Sequence, residues 1–181
     1  MFDGDELAGI VSQFGALTRA ELDRAIAELA FKRGEEASEA ASGGAIDDAL
    51  ADLRLVAVER DGDRLLAPGP TAFPRLPPDA DDLPHILDAG ERTVPRAALA
   101  ESAERRLREA AASAVAAGDR ERIEELLDAT YDLESWAPEA DVGSVRERLD
   151  AALAGDGAAD GSGEHVAGNG ADGGGDADDE G

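Results

Sequence analysis

The sequence predicts a mainly α-helical fold with one β-hairpin, followed by an acidic tail. Apolar residues recur at helical spacing through most of the first 154 positions. One Asp-Gly pair lies between two apolar runs, which is the pattern of a tight hairpin. Residues 155–181 contain no base and 8 acids. The chain therefore divides into residues 1–78, 79–154 and 155–181.

Two short helices are predicted near the N-terminus. The first runs over residues 6–14, where the spacing of the apolar side chains is helical, and Gly15 ends it. Thr18 and Glu21 have the spacing of a capping box, so they begin the second helix. That helix is expected to end at Gly34.

A third helix and the hairpin complete the first part. Residues 35–44 have no large apolar side chain and are expected to form a flexible insertion, and the third helix follows over 45–54. Two strands, 55–60 and 64–68, flank the Asp-Gly pair at 61–62. Three helices followed by a hairpin are typical of a winged helix, whose second and third helices form a helix-turn-helix.

The second part begins after a linker. Five of the eight prolines lie in 68–78, which predicts an extended path, and Phe73 and Leu76 are expected to anchor it against the core. Beyond a short helix near residues 83–87, apolar side chains spaced by four predict a helix over 95–117.

Gly118 and Asp119 end that helix and begin the next one. The two are expected to form an antiparallel helical hairpin, with a final helix near 142–153. Residues 79–154 are thus predicted to be a helical C-terminal module. Residues 155–181 hold 10 of the 21 glycines and are predicted to be a disordered acidic tail.

Composition narrows the classes of function. The net charge is −25 and there is no cysteine, which excludes disulfides, thiolate nucleophiles and sulfur-ligated metals. No stretch approaches the roughly 20 apolar residues that cross a bilayer, and no secretory signal pattern occurs, so we expect a cytoplasmic location without membrane contact. Sixteen of the 17 bases are arginine, and the excess of acids is typical of proteins that work at high salt.

Catalytic, cofactor-binding and metal-binding residues are not predicted. His85 is surrounded by aspartates, but Pro84 breaks the register and there is neither a second nearby histidine nor any cysteine. No nucleophile–base order and no distinctive carboxylate pair stands out from the 42 acids. The sequence therefore indicates a protein that is not an enzyme.

Two further features have competing interpretations. The cluster at 104–109 is either an anion-binding patch or a solvated helix face with ion pairs between residues four apart, such as Arg105 and Glu109, and the second interpretation is favoured. Tyr131 and Trp136 are either a partner-binding anchor or the cap of a small core, and the cap is favoured.

The helix-turn-helix pattern leaves two functions open. One is a DNA-binding transcriptional regulator that uses the hairpin arginines Arg60 and Arg64, with Arg54 and Arg19 as auxiliary contacts. Aspartates at three positions of the helix over 45–54 oppose phosphate binding. The favoured function is therefore that of a protein–protein interaction module, for which a regulatory role is also considered. Its partner is an unknown protein or a second copy of the chain.

The chain contains the stretches FGALTRAEL at 14–22 and ELAFKRG at 28–34. They resemble an uncharacterised family of conserved halophilic-archaeal proteins, over about the first 155 residues. The resemblance supports the high-salt interpretation and implies no activity, cofactor or site residue.

Overall fold

Seven α-helices and a small three-stranded antiparallel sheet form the fold in a computed structural model, which describes residues 2–34 and 42–159. A single 3₁₀ turn, Ala80–Asp82, precedes the fourth helix. In chain order the elements are α1 (Gly4–Ser12), β1 (Leu17–Thr18), α2 (Arg19–Lys32), α3 (Ser42–Ala51), β2 (Leu55–Arg60), β3 (Asp63–Pro68), α4 (Leu83–Ile86), α5 (Arg96–Ala117), α6 (Arg120–Trp136) and α7 (Gly143–Ala159).

Side-chain caps begin the first two helices. The carboxylate of Asp3 accepts a hydrogen bond from the backbone N–H of Glu6, whose own carboxylate accepts from the N–H of Asp3. At α2 the predicted capping box is confirmed, since Glu21 accepts from the N–H of Thr18 at 2.8 Å and donates its own N–H to the Thr18 hydroxyl. Gly34 follows α2 with φ of 69°, as the predicted end requires.

The predicted hairpin is confirmed, and its turn fixes the register of the sheet. Asp61 and Gly62 both have positive φ, 54° and 90°, which gives a two-residue turn of the primed type. Arg60 pairs with Asp63 across it. A third strand, β1, pairs with the other edge of β3, so the strand order is β1-β3-β2. The sequence did not predict β1, because two residues carry no periodic pattern.

Helix α1 begins and ends two residues earlier than predicted, and the boundaries of α3 and α7 also differ from the prediction. Helix α3 begins at Ser42, within the predicted insertion 35–44, and residues 35–41 lie outside the described residues. It ends at Ala51, because Leu53 has φ of 59° and cannot continue a right-handed helix. Helix α7 extends to Ala159, so the first five residues of the predicted tail are helical, and 160–181 lie outside the described residues.

The linker over 68–78 is held by its backbone and by Ala72 and Pro77, rather than by its two largest apolar side chains. Phe73 is 75% exposed and Leu76 is 39% exposed, so the predicted anchoring role of both is wrong. Instead, the N–H of Arg75 donates to the carbonyl of Asp5 at 3.0 Å. The Arg75 carbonyl lies so close to Gly9 that a Cβ there would be 2.2 Å from it.

Two hydrophobic cores meet at the sheet. The first packs α1, α2 and α3 against one face of the sheet, which contributes Leu55 and Leu66. The second unites α5, α6 and α7 and receives Val56 from the other face. Gly118, with φ of 64°, ends α5, and Asp119 caps α6, as predicted for the helical hairpin. The division into domains at residue 78 stays a prediction.

A partly buried ion pair ties the segment before α5 to the start of α2. Both terminal nitrogens of Arg92 donate to the Glu21 carboxylate, at 2.7 and 2.8 Å, and the Arg92 N–H donates to the Phe14 carbonyl at 2.8 Å. Glu21 is 9% exposed. The hydrogen bonds from Arg92 outweigh burial and lower the pKa of Glu21 to about 2.

This ion pair predicts a pH-dependent stability. Because the folded pKa of Glu21 lies below its unfolded value, its contribution is present above pH 4.5 and is lost as the pH falls towards 2. We expect Glu21→Gln to lower the free energy of unfolding by about 2 kcal/mol at pH 7 and by much less at pH 2. Denaturant titrations of both proteins across this pH range measure the difference in their free energy of unfolding.

The control is Glu124→Gln, which removes an exposed pair with Arg120 at 3.2 Å and is expected to cost less than about 0.5 kcal/mol at any pH. A Glu21→Gln deficit that did not change with pH would contradict this account of the ion pair.

Candidate interaction surface

The outward face of α3 is acidic. Ile46 and Ala49 point into the first core. From residue 43 to residue 52, the exposed positions hold only glycine and aspartate: Gly43, Gly44, Asp47, Asp48 and Asp52. We call this set the α3 face. Its carboxylates would repel the phosphate backbone of DNA.

Two of these three aspartates are paired with arginines from other elements. Asp47 accepts a hydrogen bond from Arg19 at 2.6 Å, which lowers the pKa of Asp47. Asp52 pairs with Arg122 at 2.9 Å, and Arg122 also donates to the carbonyl of Ala51 at 2.7 Å, which satisfies the C-terminal end of α3. Asp48 is exposed and forms no ion pair within the described ranges.

The four arginines that were assigned to DNA binding have different surroundings in the structure. Arg54 pairs with Asp5 at α1 and donates to the Thr71 carbonyl. Arg19 is engaged by Asp47, and Arg60 lies 3.4 Å from Asp61 and donates to the Thr93 carbonyl. Arg64 is 66% exposed, and its nearest carboxylate, that of Glu59, is 4.0 Å away.

Arg64 faces a cleft that the sequence did not predict. The cleft has a volume of about 360 Å³ and lies between α3, the β2–β3 hairpin and α5. Its rim holds Arg64, Arg105 and Arg106, and we call it the arginine cleft. The hydroxyl of Ser102 donates to the Ala57 carbonyl at 2.7 Å and accepts from Arg105 at 3.1 Å, so α5 is fixed against β2.

The interpretation of 104–109 as a face of ion pairs is only partly correct. Arg108 pairs with Glu104 as expected for residues four apart. In the part of the chain that the structure describes, the carboxylates of Glu101 and Glu109 both lie more than 4.0 Å from the Arg105 guanidinium. The signal that could have found the cleft is the spacing of Ser102, Arg105, Arg106 and Glu109, which places all four on one face of α5.

The remaining candidates lie apart from this surface. Trp136 is partly buried in the second core, under Arg96, whose guanidinium is 4.8 Å from its ring centroid. Tyr131 is 52% exposed with Arg146 stacked on it at 4.3 Å. His85 is exposed on α4, and the described ranges contain no group of three His, Asp or Glu residues placed to hold a metal. No described helix is long and apolar enough to cross a membrane.

The fold and this surface define a mainly helical, acidic protein with a small antiparallel sheet. A family model matches residues 5–154, which span both cores. The chain belongs to this family, the family of unknown function DUF7109. The predicted membership of an uncharacterised family is therefore confirmed. Comparisons with curated proteins and with solved structures find no match.

The placement of the arginines predicts which of them are structural. Arg54→Gln should lower the free energy of unfolding by about 1–2 kcal/mol, because it leaves the carboxylate of Asp5, already partly buried, without its ion pair. Arg64→Gln removes the same charge from an exposed position and should change stability by less than about 0.5 kcal/mol. Thermal and denaturant unfolding of both variants measures the difference. Equal effects of the two substitutions would contradict it.

Proposed function

We propose that this protein is a non-enzymatic, cytoplasmic protein–protein interaction module, built on a winged-helix-like scaffold and adapted to high salt. The element order α1-β1-α2-α3-β2-β3 supports the scaffold, because α2 and α3 then occupy the places of a helix-turn-helix and the hairpin that of the wing. The antiparallel pairing of β1 with β3 is compatible with it.

The single observation that carries the proposal is the acidic α3 face. In a helix-turn-helix protein that binds DNA, the helix in this position enters the major groove and its neighbours contact phosphates. Here its exposed side chains are aspartates, and Arg19, the nearest predicted phosphate contact, already donates to Asp47 and to the Gly43 carbonyl. A protein partner, which can offer donors and cations to aspartates, suits this face better.

The proposed adaptation to high salt follows from the excess of acids over bases. At a net charge of −25, self-repulsion destabilises the compact state at low salt. In molar salt the Debye length falls to about 3 Å, so only close pairs such as Arg19 with Asp47 keep their strength. The partner is an unknown protein or a second copy of the chain, and a regulatory role is part of the proposal.

One observation favours the second candidate, a winged helix-turn-helix transcriptional regulator that binds DNA. Arg64 is exposed on the hairpin and shares the arginine cleft with Arg105 and Arg106. These three charges could receive a phosphate. The exposed Asp61 and Asp63 at the tip of the hairpin weaken this candidate.

A pull-down of the tagged full chain from a lysate kept near molar salt tests the two candidates against each other. Bound protein and bound DNA are quantified with and without nuclease. We expect a stoichiometric protein partner that nuclease does not release, and no sequence-enriched DNA that depends on Arg60 and Arg64.

The control variant Arg108→Gln/Arg120→Gln removes the same charge from two exposed helix pairs. Recovery of sequence-enriched DNA that is lost with Arg60→Gln/Arg64→Gln, but kept with the control, would overturn the interaction module in favour of the regulator. Sedimentation of the isolated chain identifies the case in which the partner is a second copy.

A further inference from the structure

We propose that the arginine cleft binds an acidic peptide segment of the partner, with Arg64, Arg105 and Arg106 as the carboxylate-binding residues. The inference rests on the proposed function, because it names the chemistry of the partner. It assigns a function to three arginines that do not belong to the α3 face.

The arginines of the cleft lack the close carboxylate partners that most arginines of this acid-rich chain have. The chain has 42 acids for 17 bases, and most of the arginines lie within 4.0 Å of a carboxylate. Arg105 and Arg106 have no such carboxylate in the described part of the chain, and Arg64 reaches Glu59 only at 4.0 Å. Three guanidinium groups with free donors therefore border one cleft.

Part of the cleft is preorganised. Arg105 is oriented by the Ser102 hydroxyl, which is itself bonded to the edge of β2 through Ala57. A guanidinium presents its donors as a planar fork that matches the two oxygens of a carboxylate. Because one of these forks is already oriented, less conformational entropy is lost when a carboxylate arrives.

The acids of the cleft do not cancel its charge. Asp47 lines the cleft, but Arg19 already holds it at 2.6 Å. Glu109 is the second acid of the lining, and its single negative charge is smaller than the positive charge of the three arginines. The cleft therefore keeps an excess of positive charge inside a chain of net charge −25, and this contrast selects an anionic ligand.

An acidic peptide fits this site better than a nucleic acid does. The exposed Asp48, Asp61 and Asp63 lie on the elements that flank the cleft, so a continuous phosphate backbone would have to pass them. A peptide can place two or three carboxylates in a cleft of about 360 Å³ and keep the rest of its chain away from these aspartates. The partly exposed Leu50 and Ala57 can contact its aliphatic stems.

Fluorescence anisotropy of labelled hexaglutamate with the full-length protein tests the proposal, with labelled hexaglutamine and a labelled short DNA duplex as parallel probes. The cleft variant is Arg64→Gln/Arg105→Gln/Arg106→Gln. The matched control is Arg60→Gln/Arg108→Gln/Arg120→Gln, which removes three charges from paired arginines outside the cleft rim. The net charge of the two variants is therefore the same.

We expect hexaglutamate to bind the wild type, the cleft variant to weaken that binding at least about tenfold, and the control to change it by less than about twofold. Hexaglutamine should not bind. Should the cleft variant not fold, Arg106→Gln replaces it, since this side chain has no hydrogen bond within the described ranges, and about a threefold loss is expected.

Absence of hexaglutamate binding to the wild type would overturn the inference, and so would equal losses in both triple variants. Tighter binding of the duplex with the same arginine dependence would replace the acidic peptide with a nucleic acid. The pull-down with the cleft variant distinguishes failure of the peptide site from failure of the interaction module. If the cleft variant recovers the partner as well as the wild type does, the peptide site alone is refuted. If hexaglutamate binds but no protein partner is captured, the proposed interaction module alone is refuted.

Discussion

The position of β2 between two hydrophobic cores is the constraint on which the rest of the structure depends. Its side chains alternate, so Leu55 enters the first core and Val56 enters the second. A slip of one residue in its pairing would exchange the two faces and place Glu59 on the opposite side of the sheet. The two-residue turn at 61–62 prevents that slip, because only one register is compatible with it.

That arrangement also builds the candidate surface. Helix α3 packs on one face of the sheet, and α5 packs across the other and is bonded to β2 through Ser102. Arg122 then ties α6 to the end of α3. The cleft between α3 and α5 is thus a consequence of how the two cores share the hairpin, and its arginines come from sequence positions about 40 residues apart.

Features that depend on neighbouring residues could be predicted from the sequence, whereas those that depend on distant contacts could not. The capping box of Thr18 and Glu21 and the turn at 61–62 are local, and both were predicted correctly. The pairing of Arg54 with Asp5, which engages the Arg54 guanidinium, joins residues 49 positions apart. Likewise, the spacing of four predicts a pair of Arg105 with Glu109, whereas the cleft that both line depends on the packing of α5 against β2, more than 40 residues earlier in the chain.

We propose that the α3 face contacts a protein rather than DNA. Photo-crosslinking from this face tests it most directly: a benzophenone amino acid replaces the exposed Asp48 in the full chain, cells that produce it are irradiated, and the adducts are identified by mass spectrometry. The account predicts adducts with peptides, either of one partner protein or of a second copy. Adducts with nucleotides as the principal product would contradict it.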